Sequence, residues 1–146
     1  MPDTPHQRHI KETIQPGSVY YYHKSSINSS KQHNFIVLNV DPSKDSVIVL
    51  VCSQSNIQNV KKIRNNCPPQ TLIEITPNQY SGFTKNSIID CNSVFEGSIE
   101  KIADILAEGK LQTKPVIGLR LVKKLRDGVI LSPIAEKRFK ILLQTK

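Results

Sequence analysis

Two runs of apolar, mostly β-branched residues near the middle of the chain constrain its fold more than any other feature. Residues 34–40 (NFIVLNV) and 47–52 (VIVLVC) each have the length of a strand, and the turn signal 41–45 (DPSKD) lies between them. Runs of this length and composition are typical of strands that are buried on both faces. The sequence therefore predicts an antiparallel β-hairpin at the centre of the fold.

Shorter strand signals flank this hairpin, and helical signals follow it. Further strands are predicted, from β-branched, apolar and tyrosine residues between turn signals, at residues 18–22, 72–75 and 87–91. Beyond Gly97 the apolar residues recur at helical spacing, and helices are predicted after Ser98, around residues 119–129 and from Pro133 onward. Strands followed by helices indicate an α+β domain with a small, strongly bent antiparallel sheet or partly closed barrel.

The length and the termini predict one domain with a short leader. A chain of 146 residues suits a single compact domain. Residues 1–15 hold two prolines, two histidines and no apolar period, so they are predicted to be a flexible leader, with the domain spanning residues 16–146. No signal-peptide pattern and no run near 18 apolar residues occurs, which favours a cytoplasmic protein without a membrane partner.

Positive charge is concentrated in the last quarter of the chain. The formal net charge is +8, and residues 110–146 hold ten Lys or Arg against two acidic residues. The first 109 residues are neutral overall. A basic segment of this kind favours an anionic partner, and a solvated helical face is the alternative.

The motifs of cofactor and metal enzymes are missing from the sequence. There is no Walker loop, Rossmann glycine pattern, GxSxG turn or HExxH helix. The three cysteines are widely spaced without a CxxC pair, and carboxylates are sparse in the predicted strands. We therefore expect no cofactor, no metal and free thiols, and any nuclease activity should be independent of metal.

Candidate catalytic residues lie at the ends of the central strands. Metal-independent RNA cleavage needs a base for the 2′-hydroxyl, an acid for the leaving 5′-oxygen and a donor or cation for the phosphorane charge. His33 precedes one central strand, and Cys52 and Ser53 end its hairpin partner. Histidine is the residue type whose ordinary pKa is closest to neutral. The alternatives are an ordinary loop histidine and a plain turn at residues 53–55.

Three further residues are candidates for binding RNA. Tyr20, in the run of tyrosines at residues 20–22, has a ring that can stack on an unpaired base. Lys31 adds positive charge beside His33, and Gln54 follows the candidate catalytic segment. The alternative for the tyrosine run is packing within the sheet, because alternation places Tyr21 on the opposite face from its neighbours.

The order of the segments resembles the PemK/MazF-like toxin family. The resemblance covers residues 16–143 and rests on four short segments, which are 16–21 (PGSVYY), 35–39 (FIVLN), 47–54 (VIVLVCSQ) and 86–91 (NSIIDC). It implies a small SH3-like antiparallel β-barrel with C-terminal helices, usually in a homodimer. It also implies a toxin of a toxin–antitoxin system that cleaves single-stranded RNA without metal and is restrained by an antitoxin protein.

The resemblance places two unusual residues at the family's catalytic positions. His33 lies at or beside the position of an arginine that ends the first long loop, and Cys52 lies at the position of a threonine, with Ser53 next to it. Histidine lacks the permanent charge and fork of arginine, and a thiol is a weak donor. Two functions remain open: an endoribonuclease that uses these residues, and a catalytically degenerate barrel that binds RNA or a protein. A DNA-binding module built on the basic helices has no recognisable helix-turn-helix to support it.

Overall fold

The computed structural model describes residues 2–24 and 32–144, which form seven strands and five α-helices. The strands are β1 (Val19–Tyr22), β2 (His33–Val37), β3 (Ile48–Gln54), β4 (Leu72–Ile75), β5 (Ser87–Asp90), β6 (Phe95–Gly97) and β7 (Gln112–Lys114). The helices are α1 (Pro5–Thr13), α2 (Ile57–Ile63), α3 (Ile99–Ala107), α4 (Leu119–Leu131) and α5 (Lys137–Leu143). The predicted α+β class, with helices at the C-terminal end, is confirmed.

The strands form one antiparallel sheet in the order β4-β5-β3-β2-β1-β7, and β6 pairs with β3. The predicted central hairpin is present, with Phe35 opposite Cys52 and Val37 opposite Leu50. Along its other side, β3 pairs first with β6 and then, through its last two residues, with β5. Among the described residues β4 and β7 do not pair with each other, so this part of the sheet is open and does not form a closed barrel.

Alternate residues of the central strands contribute to two hydrophobic cores on opposite faces of the sheet. Phe35 faces a core that includes Ile10 of α1 and residues of α3. Ile36 faces the other core, which includes Val122 of α4 and residues of α5. Because helices cover both faces, β2 and β3 are continuous apolar runs instead of alternating ones, as the sequence predicts.

The N-terminal segment differs from its prediction. The sequence predicts a flexible leader over residues 1–15, whereas the structure forms helix α1 there. The Thr4 hydroxyl accepts a hydrogen bond from the Gln7 amide at 3.1 Å, the Gln7 side chain accepts one from the Thr4 amide at 3.0 Å, and Pro5 opens the helix. Ile10 is 1% exposed in the core. A single buried residue gives no apolar period, which is why the helix escapes pattern analysis.

Other elements also depart from the sequence prediction. Helix α2 has no counterpart among the predicted elements. Strand β7 pairs with β1 through its backbone, and two of its three side chains are exposed, so it has no apolar signature. Helix α5 begins at Lys137 and not at Pro133, because the Ser132 hydroxyl accepts hydrogen bonds from the amides of Ile134 and Ala135 and holds a turn there. No described helix has the length and apolar character needed to cross a membrane.

Gly17 joins three segments of the fold just before β1. Its amide donates to the Val37 carbonyl at 2.8 Å, and its carbonyl accepts from the Ile117 amide at 2.9 Å. Its φ is +89°, and a Cβ atom at this position would lie 2.5 Å from the Ile117 oxygen. Only glycine adopts this conformation without strain and leaves room for the close approach. Gly17 therefore sets β1 against β2 and against the segment that leads into α4.

Candidate functional site

A cleft of about 380 Å³ opens where β1 ends and β2 begins, beside the last residues of β3. It brings together three of the residues predicted from the sequence, which are His33, Ser53 and Gln54. Its other described lining residues include Tyr21, Asn34, Asn56 at the start of α2, and Lys85 in the loop before β5. The strand ends thus supply the predicted residues, and α2 and the loop before β5 complete the walls.

Two predicted site residues lie in the core and not in the cleft. Tyr20 is 2% exposed and Cys52 is 5% exposed, and both pack with Phe35. Burial raises the pKa of Tyr20 to about 12 and the pKa of the Cys52 thiol to about 12. A buried ring has no free face for a base, and a buried neutral thiol is a poor nucleophile. This placement corrects the assignment of Tyr20 and Cys52 to the site, and Lys31 lies outside the described residues.

Strand register places Asn34 next to Ser53 in the cleft. Tyr21 of β1 lies opposite Asn34 of β2. The antiparallel pairing of β2 with β3 places Phe35 opposite Cys52. One residue further toward the cleft, Asn34 therefore lies opposite Ser53. Side chains alternate between faces along a strand, and therefore Tyr21, Asn34 and Ser53 form a row across one face of the sheet.

The His33 side chain lies on the face of the sheet opposite to that of Asn34 and Ser53. It lies opposite Tyr22 and has the same parity as Phe35, and as the first residue of β2 it reaches the cleft at the rim of the sheet. Its Nε2 atom is buried and has no hydrogen-bond partner among the described residues, and the same is true of Asn34 Oδ1. Buried polar atoms are normally paired, so two unpaired atoms on consecutive lining residues mark this place as unusual.

The cleft carries no negative charge in its described part. None of its described lining residues is acidic, and Lys85 is an exposed cation at its edge. A second cation lies close by, because Lys114 Nζ is 5.1 Å from the centroid of the Tyr21 ring. Within residues 2–24 and 32–144, no three His, Cys, Asp or Glu side chains come together as a metal site would require. The lining is suited to an anionic or polar ligand.

Arg64, the C-cap residue of α2, forms an ion pair with Asp90 and does not line the cleft. Arg64 donates through Nε to Asp90 Oδ2 at 2.8 Å and through Nη2 to Ser93 Oγ at 3.0 Å. Asp90 is 5% exposed, so this ion pair is largely shielded from solvent. It ties the C-terminal end of α2 to β5, while Asn56 at the other end of the helix lines the cleft. The described lining therefore offers no guanidinium group.

We expect Cys52 and Cys91 to be unreactive in the folded protein. Both thiols are buried, and burial raises the pKa of each to about 12, with Asp90 adding to the effect at Cys91. At about pH 8 almost no thiolate is present at such a pKa. In a Cys67→Ser variant, a chromogenic thiol reagent should therefore register no thiol until denaturant is added, and two afterwards. Rapid labelling of either thiol without denaturant would contradict this burial.

Tyr21, Asn34 and Lys85 are among the cleft residues that the sequence did not predict. Alternation separates Tyr21 from Tyr20, but the pattern alone does not show which of the two faces a cleft. Asn34 belongs to no motif of its own, and the candidate catalytic residue at this strand end is the preceding His33. Lys85 lies in a polar loop without a motif, and only the fold brings that loop to the strand ends.

No protein-family model matches the chain, and no curated protein matches it. The resemblance to the PemK/MazF-like toxins accordingly stays a prediction from short segments of the sequence. The fold class and the cleft are what the structure contributes.

Proposed function

We propose that this protein is a toxin-like endoribonuclease that cleaves single-stranded RNA without metal. The observation that supports the proposal is the meeting of His33, Ser53 and Gln54 in one cleft with Lys85 at its edge and no acid in its described lining. An unpaired RNA strand brings phosphates, 2′-hydroxyls and exposed base edges to such a cleft. Each of these groups has a suitable counterpart among the lining side chains.

In the proposed reaction His33 handles the protons. Its imidazole takes the proton of a 2′-hydroxyl, the 2′-oxygen bonds to the adjacent phosphorus, and the bond from phosphorus to the 5′-oxygen breaks. The imidazolium then returns the proton to the leaving 5′-oxygen, so the products end in a 2′,3′-cyclic phosphate and a 5′-hydroxyl. Ser53 and Gln54 donate hydrogen bonds to the phosphorane oxygens, and Lys85 offsets their charge.

We further propose that the fold is an SH3-like barrel and that the protein has two kinds of protein partner, a second copy of itself and an antitoxin. Along one side, β3 pairs with β6 through its first three residues and with β5 through its last two. Such a change of partner suits the sharply bent sheet of an SH3-like barrel. We place the protein in the cytoplasm as a homodimer restrained by an antitoxin. Lys123, Asp127 and Leu119, which is 71% exposed, line a separate cleft of about 570 Å³ with Arg126, whose guanidinium donates to the carbonyls of Leu38 and Asn39. The exposed cation of Lys123 beside an exposed apolar side chain suits an acidic protein segment, so we assign the antitoxin to this side of α4.

Single-stranded RNA should be cut by the purified protein in the presence of EDTA. The reaction above requires a 2′-hydroxyl and no metal, so the fragments should carry 2′,3′-cyclic phosphate ends, and single-stranded DNA of the same sequence should stay intact. Denaturing gels and end-group analysis provide the measurement. RNA that remains whole, or that is cut only after magnesium is added, would overturn the proposed mechanism.

Binding without cleavage is the second candidate, and one observation favours it. The described lining contains a single imidazole and no guanidinium, so beside His33 it offers only the Lys85 ammonium to protonate or stabilise the leaving group. Under this function RNA would be retarded in a native gel and recovered intact. The EDTA experiment therefore separates the two candidates directly.

A further inference from the structure

The row formed by Tyr21, Asn34 and Ser53 has the features of a binding surface for a flat polar ring. It crosses three neighbouring strands on one face of the sheet, and all three residues line the cleft. Tyr21 is half-buried and supplies the aromatic surface. Lys114 Nζ lies over one face of this ring, 5.1 Å from its centroid, so a base would stack on the other face and its phosphate would lie near the cation.

Asn34 supplies the polar recognition in this row. Its Oδ1 atom is buried without a hydrogen-bond partner among the described residues, an arrangement that is costly for an amide oxygen. The residue is only half-buried and lines the cleft, so rotation of its side chain brings the amide to a ligand there. A ligand that presents an N–H group beside an acceptor would satisfy both ends of the amide.

We infer that this row is a base-recognition site that holds one unpaired adenine of the RNA. Asparagine pairs with adenine through two hydrogen bonds, in which the amide oxygen accepts from N6 and the amide nitrogen donates to N7. A purine also offers the larger surface for stacking on Tyr21. This inference rests on the proposed function and adds to it, because it makes Asn34 and Tyr21 determinants of sequence preference beside the reacting groups.

The test is the binding of short labelled 2′-O-methyl RNA homopolymers, which lack the 2′-hydroxyl that the proposed cleavage requires, to the full-length chain, measured by fluorescence anisotropy. Wild-type protein should bind oligoadenylate at least about tenfold more tightly than oligouridylate. Asn34→Leu should bring the two affinities close together by weakening the adenylate complex. Tyr21→Leu should weaken both complexes, because stacking is tolerant of sequence.

Matched controls keep the outcomes distinct. Asn65→Leu removes an exposed asparagine outside the cleft lining and should leave the preference unchanged. Should Asn34→Leu fail to fold, as judged by circular dichroism, Asn34→Asp removes the amide donor at nearly the same shape and should also abolish the preference. An unchanged adenine preference in the folded Asn34 variants overturns the inference while RNA binding itself stands. Failure of the wild-type protein to bind either homopolymer overturns the proposed function as well.

Discussion

Replacing His33 with alanine should lower the rate of RNA cleavage by at least about a hundredfold, the usual contribution of a general acid or base. His33 is the only imidazole in the described lining of the cleft, so no neighbouring histidine there can take over its proton transfers. RNA affinity should change little, because the phosphate contacts proposed for Ser53, Gln54 and Lys85 remain. Single-turnover cleavage rates, followed beside an anisotropy titration, separate the chemical step from binding.

We expect His33→Ala to fold, and His6→Ala is its control. His33 Nε2 makes no hydrogen bond among the described residues, so the substitution breaks no hydrogen bond of that atom there. His6→Ala removes an exposed histidine on α1 and should leave cleavage at the wild-type rate. Cleavage that persists undiminished in His33→Ala would show that the base lies elsewhere, and equal losses in both variants would point to a general effect on the protein.

Substituting alanine for Gly17 should destabilise the fold by about 3 kcal/mol or more, placing it among the larger single-residue effects. The new Cβ atom would lie 2.5 Å from the Ile117 oxygen and 3.0 Å from Val122 Cγ2, in addition to the strain of a positive φ. Relief of the clash requires movement of backbone that carries the hydrogen bonds to Val37 and Ile117. Urea denaturation followed by circular dichroism gives the free energy of unfolding.

Gly109 offers a matched comparison for this effect. It also has a positive φ, of +73°, but a Cβ atom there would have no neighbour within 4 Å. Gly109→Ala should therefore cost only the strain of the left-handed conformation, about 1–2 kcal/mol. The difference between the two variants isolates the close approach at Gly17, and equal losses of stability would show that this approach is unimportant.

The sequence predicts the fold well where side-chain patterns are strong. Residues 72–75 match β4 at both ends, and Ser98 caps α3 through a hydrogen bond from the Lys101 amide, as its position before the apolar period indicates. The elements that escape prediction bury few side chains. Helix α1 depends on its capping residues and one isoleucine, and β7 depends on backbone hydrogen bonds that any sequence can make.

The candidate site is predictable in location but not in composition. His33 and Ser53 come to one cleft because both lie at strand ends, which is visible in the sequence. Strand parity decides between core and cleft for Ser53 against Cys52 and for Tyr21 against Tyr20. His33 and Gln54 have the parity of core residues and reach the cleft because they stand at strand ends. Parity follows from the covering helices, which are distant in sequence.

The burial of Phe35 and Ile36 in two different cores fixes the register of β2. Each is fully buried in a different core, so a slip of β2 by one residue would exchange two tightly packed surfaces, and the register is strongly enforced. His33 and Asn34 belong to β2 and take their positions from that register. Substitutions in either core that keep this register should therefore leave both side chains at their places in the cleft, even when the core residues themselves are exchanged.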